Sequence, residues 1–98
     1  RIAVGYHLKH RDPSEDATCT ITLMDTGIMA EIPDFQITHT YQWNSFTTIY
    51  RKMGYYMFFE GSKMTVMLRI ADMDTEQQTA APVIIKKYVN QNICKILF

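Results

Sequence analysis

Residues 35–73 constrain the fold of this chain most, because apolar and aromatic segments alternate there with turn signals before a helix begins. Residues 35–41 alternate in polarity, residues 55–59 are apolar on both faces, and residues 64–70 alternate again. These patterns are typical of β-strands. Breaks fall at Met53-Gly54 and Gly61-Ser62. The order predicts consecutive strands joined by short hairpins, with a helix after them.

Trp43, Phe46 and Ile49 interrupt the alternation with a spacing of three residues. A flat strand has a side-chain period of two, so this spacing predicts a bulge or a single helical turn that redirects the chain. We expect these three residues to be core anchors at the bend.

Alternating segments also precede this stretch, at residues 1–9 and 18–24, and a short strand is expected at residues 28–32. Asp25-Thr26-Gly27 separates the last two and predicts a hairpin turn. Gly27 is expected to take a positive φ, which glycine adopts without steric cost. In the strand predicted at residues 35–41, His39 falls on the same face as Phe35 and Ile37, which predicts an inward position unless the register shifts.

The final quarter of the chain changes to helical periodicity. Asp74 and Gln77 have the spacing of a capping box, and apolar residues then recur three or four apart. Pro82 predicts a break, with a second helix starting there and running to the end of the chain. The apolar positions expected to carry that second helix are Ile85, Val89, Ile93 and Ile96.

About seven short antiparallel strands followed by a C-terminal helix make a mainly β fold, with the plan of a pleckstrin-homology-like bent sheet or barrel. We expect residues 1–98 to form one such domain. From Thr18 onward the chain resembles the YcxB-like family, a bacterial domain of that fold. The matching segments are ITLMDTGI at 21–28, YQWNSFTTIYRKMGYYMFF at 41–59 and DTEQQ at 74–78. Family members often have Ile-Pro-Lys before the helix, whereas this chain has Leu68-Arg69-Ile70.

The resemblance implies a non-enzymatic module with no known reaction. It also implies a position at the cytoplasmic face of a bacterial membrane, with the domain excised from a longer chain whose membrane segments lie outside this sequence.

Charge and composition argue against several classes of function. The chain has 10 basic and 10 acidic residues, so it lacks the overall positive field of a nucleic-acid-binding protein. Bases and aromatics interleave at residues 50–56, but packed strands produce the same pattern, and we expect no nucleic acid partner. Cys19 and Cys94, the two cysteines, are expected to be reduced thiols.

No catalytic or metal-binding pattern is present in the sequence. His7 and His10 are three residues apart, and on a strand such side chains point to opposite faces, so they do not converge on one ion. The serines lack a nucleophile motif, and no phosphate-binding loop occurs. We therefore expect no enzyme activity, no metal and no cofactor.

Binding is the remaining class, and three partners are considered. A protein or peptide segment at a sheet edge, or in the groove beside the helix, is the leading hypothesis. Anionic lipid is the second, through the basic residues Lys9, Arg11, Lys86 and Lys87. A small ligand in a barrel pocket lined by tyrosine and methionine is the third.

Overall fold

The computed structural model describes residues 2–9, 16–32 and 35–98, with side chains described from Cys19 onward. These residues form eight strands and one α-helix. The strands are β1 (Ile2–Lys9), β2 (Asp16–Leu23), β3 (Gly27–Ile32), β4 (Ile37–Gln42), β5 (Thr48–Lys52), β6 (Tyr55–Glu60), β7 (Lys63–Arg69) and β8 (Lys95–Leu97), and helix α1 (Thr75–Tyr88) lies between β7 and β8.

The strands make two four-stranded sheets. The first has the order β1-β2-β3-β4 and is antiparallel throughout. The second has the order β7-β6-β5-β8, with β8 added parallel to β5. The mainly β class and the C-terminal helix are confirmed. Within the described residues the sheets do not join into a closed barrel, so the barrel form of the prediction is wrong.

The core consists of alternate side chains from both sheets together with one stripe of the helix. Burial of each large apolar side chain contributes about 1.5–3 kcal/mol to stability. The fully buried large side chains are Leu23, Ile28, Phe46, Ile49, Tyr56, Phe58, Leu68 and Ile85.

The bend after β4 has the local structure that its spacing predicted. Trp43–Ser45 is a 3₁₀ turn, and the Phe46 amide donates to the Trp43 carbonyl at 3.3 Å. Trp43, Phe46 and Ile49 are all buried. The turn ends β4 in the first sheet and starts β5 in the second, so it is the link between the two sheets.

The predicted break at Pro82 is wrong, because α1 is continuous from Thr75 to Tyr88 with Pro82 inside it. An interior proline costs about 3 kcal/mol or more through its missing amide and its clash with the preceding turn. Ala81 and Ile85, on either side of it, are fully buried against the sheets. We attribute the continuity of the helix to this packing.

The predicted extension of helix to the end of the chain is also wrong. The chain leaves α1 at Val89, and the amides of Ile93 and Cys94 donate to the Asn90 carbonyl. The Asn90 side chain accepts from the Asn92 amide at 3.0 Å. Asparagine favours such local turns over helix. The residues after this turn form β8, whose Lys95 amide donates to the Thr47 carbonyl at 2.9 Å.

Strand β4 is an edge strand, and this overturns its predicted facing. Residues 35 and 36 form a turn before the strand begins at Ile37. The side chains of Phe35, Ile37 and His39, which were expected to face inward, are all exposed. A strand at the edge of a sheet has one neighbour to pack against, so alternation alone does not ensure burial.

Gly27 closes the predicted β2–β3 hairpin. Its φ is +156°, and its carbonyl accepts from the Met24 amide at 2.8 Å. A Cβ at this position would collide with the backbone carbonyl of Tyr41 on β4. Glycine is therefore required by the close approach of a neighbouring strand as well as by its conformational freedom.

Candidate functional site

An open groove runs between the C-terminal half of α1 and the turn that joins β2 to β3. Its volume is about 560 Å³, and its lining residues include Leu23 and Met24 from the hairpin and Val83, Ile84 and Tyr88 from the helix. The lining is mainly apolar, with the side chains of Asp25 and Lys87 supplying one charge of each sign.

Two further concave surfaces continue this groove along the helix. One of about 380 Å³ shares Asp25 and Tyr88 with it and extends to Trp43 and Gln42. The other, about 420 Å³, shares Val83 and Ile84 and extends to Thr75 at the first turn of the helix. Together they make one track along α1, which we term the helix groove.

Trp43 fixes the C-terminal end of the helix groove. Its indole Nε1 donates to the Met24 carbonyl at 2.7 Å, which ties the 3₁₀ turn to the β2–β3 hairpin. The indole also stacks on Tyr88 with ring centroids 6.4 Å apart and an angle of 19° between the planes. Buried indole N–H groups normally find such a partner. One side chain therefore joins hairpin, turn and helix.

The N-terminal end of α1 is held by its cap. The Asp74 carboxylate accepts from the Gln77 amide at 2.8 Å, and the Gln77 side chain accepts from the Asp74 amide at 3.0 Å. This confirms the predicted capping box. The Gln78 side chain also donates to the Met73 carbonyl at 3.0 Å, which attaches the helix to the segment after β7. Both ends of the groove are thus built from fixed elements.

Lys86 and Lys87 are exposed in the last turn of α1, where cations complement the helix dipole. The Lys87 Nζ lies over the Tyr88 ring at 5.3 Å from its centroid, and the Lys86 Nζ over the Phe98 ring at 5.2 Å. The side chain of Lys9 and all of Arg11 lie outside the described residues. Of the four predicted lipid-binding residues, the structure therefore places two next to each other.

Residues with catalytic potential are not gathered in the described part of the chain. Ser45 lies in the 3₁₀ turn and Ser62 in the β6–β7 hairpin. Among the described residues no group of three His, Cys, Asp or Glu side chains is placed to hold a metal ion. His10, Asp12, Ser14 and Glu15 fall outside the described residues, as do the side chains of His7 and Asp16.

The methionines bear on the idea of a ligand pocket inside a barrel. The side chains of Met53, Met64 and Met67 are exposed, and that of Met73 is buried in the core. Met24 lines the helix groove. Because Met53, Met64 and Met67 are exposed on the surface, they do not line a pocket in the interior.

Cys19 and Cys94 are both free and buried. Burial raises the pKa of the Cys94 thiol above its ordinary value, because the thiolate is less well solvated there. The thiolate is the reactive form of cysteine, so Cys94 is a poor nucleophile in the folded state.

Comparison of the chain with protein-family models, with curated proteins and with solved structures found no match. The resemblance to the YcxB-like family therefore stays a prediction. In the part of the chain that the structure describes, no helix has the length and apolar character needed to cross a membrane.

Sequence reasoning did not identify the helix groove residue by residue. Asp25 and Tyr88 are far apart along the chain, and no local pattern signals that they meet. One available signal was Val83, which is apolar and next to Ile84, so the apolar surface of the helix is wider than the stripe that the core requires. In the structure the Val83 side chain is 63% exposed.

Proposed function

We propose that this chain is a non-enzymatic binding module that takes up a segment of a partner protein in the helix groove. The observation that carries the proposal is the continuous, mainly apolar track along α1, from Thr75 to Trp43, with fixed elements at both ends. An amphipathic helix or extended segment laid in an apolar groove is a recurrent mode of peptide recognition.

The two charges of the groove suggest how a segment would be oriented. Asp25 and Lys87 line the same part of it, beside Tyr88. A partner segment with apolar side chains facing Val83 and Ile84, and one charge of each sign near Tyr88, would satisfy the groove. Charges at the rim of an interface contribute more to orientation and association rate than to affinity.

Panning of a displayed peptide library against the protein tests the proposal. Selected peptides are remeasured by fluorescence anisotropy against Val83→Glu, with Met53→Glu as the matched control. Met53 is 86% exposed at the tip of the β5–β6 hairpin and lines none of the three surfaces of the groove. We expect Val83→Glu to weaken binding about tenfold or more, equivalent to about 1.4 kcal/mol, and Met53→Glu to leave it unchanged. Panning that yields no binder weakened by Val83→Glu would overturn the proposal.

Anionic lipid is the second candidate, and the exposed pair Lys86 and Lys87 favours it. Each base near an anionic surface contributes about 1 kcal/mol, so this pair alone gives weak attraction. Flotation with anionic vesicles at low salt tests it, comparing the protein with a variant in which Lys9, Arg11, Lys86 and Lys87 are neutralised. Flotation that does not change between the two proteins would remove this candidate.

The resemblance to the YcxB-like family adds a location to the proposal. It supports a pleckstrin-homology-like domain at the cytoplasmic face of a bacterial membrane, held there by segments outside this sequence. Fractionation of cells that express the full-length gene product tests this. The proposal predicts the membrane fraction and protease protection in intact spheroplasts, whereas a product found only in the soluble fraction would contradict it.

A further inference from the structure

The outer face of the second sheet carries apolar side chains on all four strands. Cross-strand partners share a face of a sheet, so the pairing register identifies this surface. Its central row is Leu97, Tyr50, Met57 and Met67, one residue from each strand in spatial order. The side chains of Leu97 and Met67 are 37% and 43% exposed.

A second row lies on each side of the central one. Toward the start of β5, the row is Lys95, Thr48, Phe59 and Met64, and Met64 is three residues from Met67 because the β6–β7 register shifts after Phe58. Toward the end of β5, two residues from the central row, the row is Lys52, Tyr55 and Arg69. We term these three rows the outer sheet face.

The charges on the outer sheet face have one sign. Lys95 lies at one end, Lys52 and Arg69 lie at the other, and none of the positions in the three rows is acidic. The chain as a whole has equal numbers of acids and bases, so this is a local excess of positive charge. The Arg69 Nε lies 3.9 Å from the Asp72 carboxylate, a distance typical of a weak surface pair.

The spacing of the bases specifies a complementary segment. Thr48 and Lys52 are four residues apart on β5, and at about 3.3 Å per residue the two basic rows are about 13 Å apart. Lys95 and Lys52 lie on adjacent strands, with Tyr50 and Leu97 between them along the strand direction. An extended segment with acidic residues at i and i+4 and an apolar residue at i+2 has the same span on one face.

We propose that the outer sheet face binds an acidic, extended protein segment whose apolar side chains alternate with its carboxylates at that spacing. Charge complementarity selects this occupant. A second copy of this chain would place bases opposite bases. The face also carries the rings of Tyr50, Tyr55 and Phe59, but the chain has no net positive charge, which nucleic-acid binding normally uses, so nucleic acid is kept as an outcome of the test. This surface shares no residue with the helix groove, so the inference goes beyond the function proposed above.

Anisotropy of a fluorescein-labelled peptide that repeats Glu-Ser-Leu-Ser tests the proposal, with Lys replacing Glu in the control peptide. We expect saturable binding of the acidic peptide, weakened about tenfold or more by Lys52→Glu combined with Lys95→Glu. The matched control combines Lys86→Glu with Lys87→Glu, which changes the net charge equally on the helix. It should change the affinity less than threefold.

Apolar contact is tested in the same assay by Met67→Thr, with Met53→Asn, which the positive φ of Met53 tolerates, as its control outside the face. Only Met67→Thr should weaken binding. Equal loss with both charge-reversal pairs would show non-specific charge attraction and overturn the proposal. Binding of anionic vesicles or of a thymidine oligonucleotide, without binding of the acidic peptide, would overturn it as well. Panning results for the helix groove are independent of these outcomes.

Discussion

The two faces of the second sheet are built from the same strands and are both rich in apolar residues, yet they differ in burial. On β6, Tyr56 and Phe58 are buried in the core, whereas Tyr55, Met57 and Phe59 remain partly exposed. On β7, Val66 and Leu68 are buried and Met67 is exposed. The second sheet therefore has more apolar side chains than its buried face requires.

A sheet with one solvent face normally has polar residues on that face, so the apolar outer sheet face is the observation on which the proposed binding rests. The basic residues at both ends of the outer sheet face are the reason for proposing an acidic segment. On the inner face, Phe58 packs against Phe46 of the segment before β5, with 5.2 Å between the ring centroids. The same strands therefore supply both core stability and a surface available for binding.

The largest expected effect separates two neighbouring phenylalanines on β6. Phe58→Ala removes a fully buried ring and should lower the free energy of unfolding by about 3–5 kcal/mol. Phe59→Ala removes a partly exposed ring that contacts Tyr50 edge-on and should cost about 1–2 kcal/mol. Urea denaturation measures both, and equal losses would contradict the division into inner and outer faces.

Two glycines differ in the space around the position of a Cβ atom: Gly27 is close to the backbone of β4, and Gly61 has no atom nearby. Gly27→Ala places a methyl group against the Tyr41 carbonyl and should cost about 2 kcal/mol or more. Gly61 has a φ of +62° but no atom near its missing Cβ, so Gly61→Ala should cost about 1 kcal/mol. Thermal unfolding of the two variants checks the order of the losses in stability. A larger loss of stability for Gly61→Ala would contradict the close contact between Gly27 and β4.

Alkaline pH probes the buried Tyr56 phenol on the inner face. Burial raises the pKa of the Tyr56 phenol, and the Arg51 charge only partly opposes this. The unfolded chain then releases the phenolic proton at lower pH than the folded chain, so this group makes stability fall as pH rises above about 10. Tyr56→Phe removes the titrating group and should flatten that part of the profile. Profiles with the same slope would show that Tyr56 is solvated.

The smallest expected effect concerns the hairpin that joins β5 to β6. Met53 has a φ of +55° and is followed by Gly54 at +83°, which is the geometry of a type I′ turn. Asparagine is favoured at the first of these positions, so Met53→Asn should raise the free energy of unfolding by about 0.5 kcal/mol. Peptide binding to the outer sheet face should not change. Destabilisation by this substitution would contradict the assigned turn.

Local patterns predicted most of the elements, and tertiary contacts account for the errors. The hairpins at Gly27, Gly54 and Gly61 and the capping box at Asp74 follow from short-range chemistry that the sequence displays. The continuity of α1 through Pro82 depends on burial of residues on either side of it, which no local rule reports. Strand β8 depends on pairing with β5, which is distant in sequence.

The candidate surfaces were harder to predict for the same reason. The helix groove joins Asp25 to Tyr88, and the outer sheet face joins Tyr50 to Leu97, across long stretches of chain. The bases and aromatics at residues 50–56 were interpreted as products of strand packing. The register adds which face each of them occupies. Arg51 lies beside the buried Tyr56 ring, at 5.8 Å from its centroid, while Tyr50, Lys52 and Tyr55 belong to the outer sheet face.

Methionine methyl NMR tests the separation of the surfaces most directly, because the seven methionines sample different parts of the fold. With ¹³C-methyl-methionine protein and the Glu-Ser-Leu-Ser repeat peptide, the methyl signals of Met57, Met64 and Met67 should shift saturably. Those of Met73 in the core, Met53 at the hairpin and Met24 in the helix groove should stay in place. Shifts at Met24 without shifts at Met57, Met64 and Met67, or no shifts at all, would contradict the outer sheet face as a binding surface.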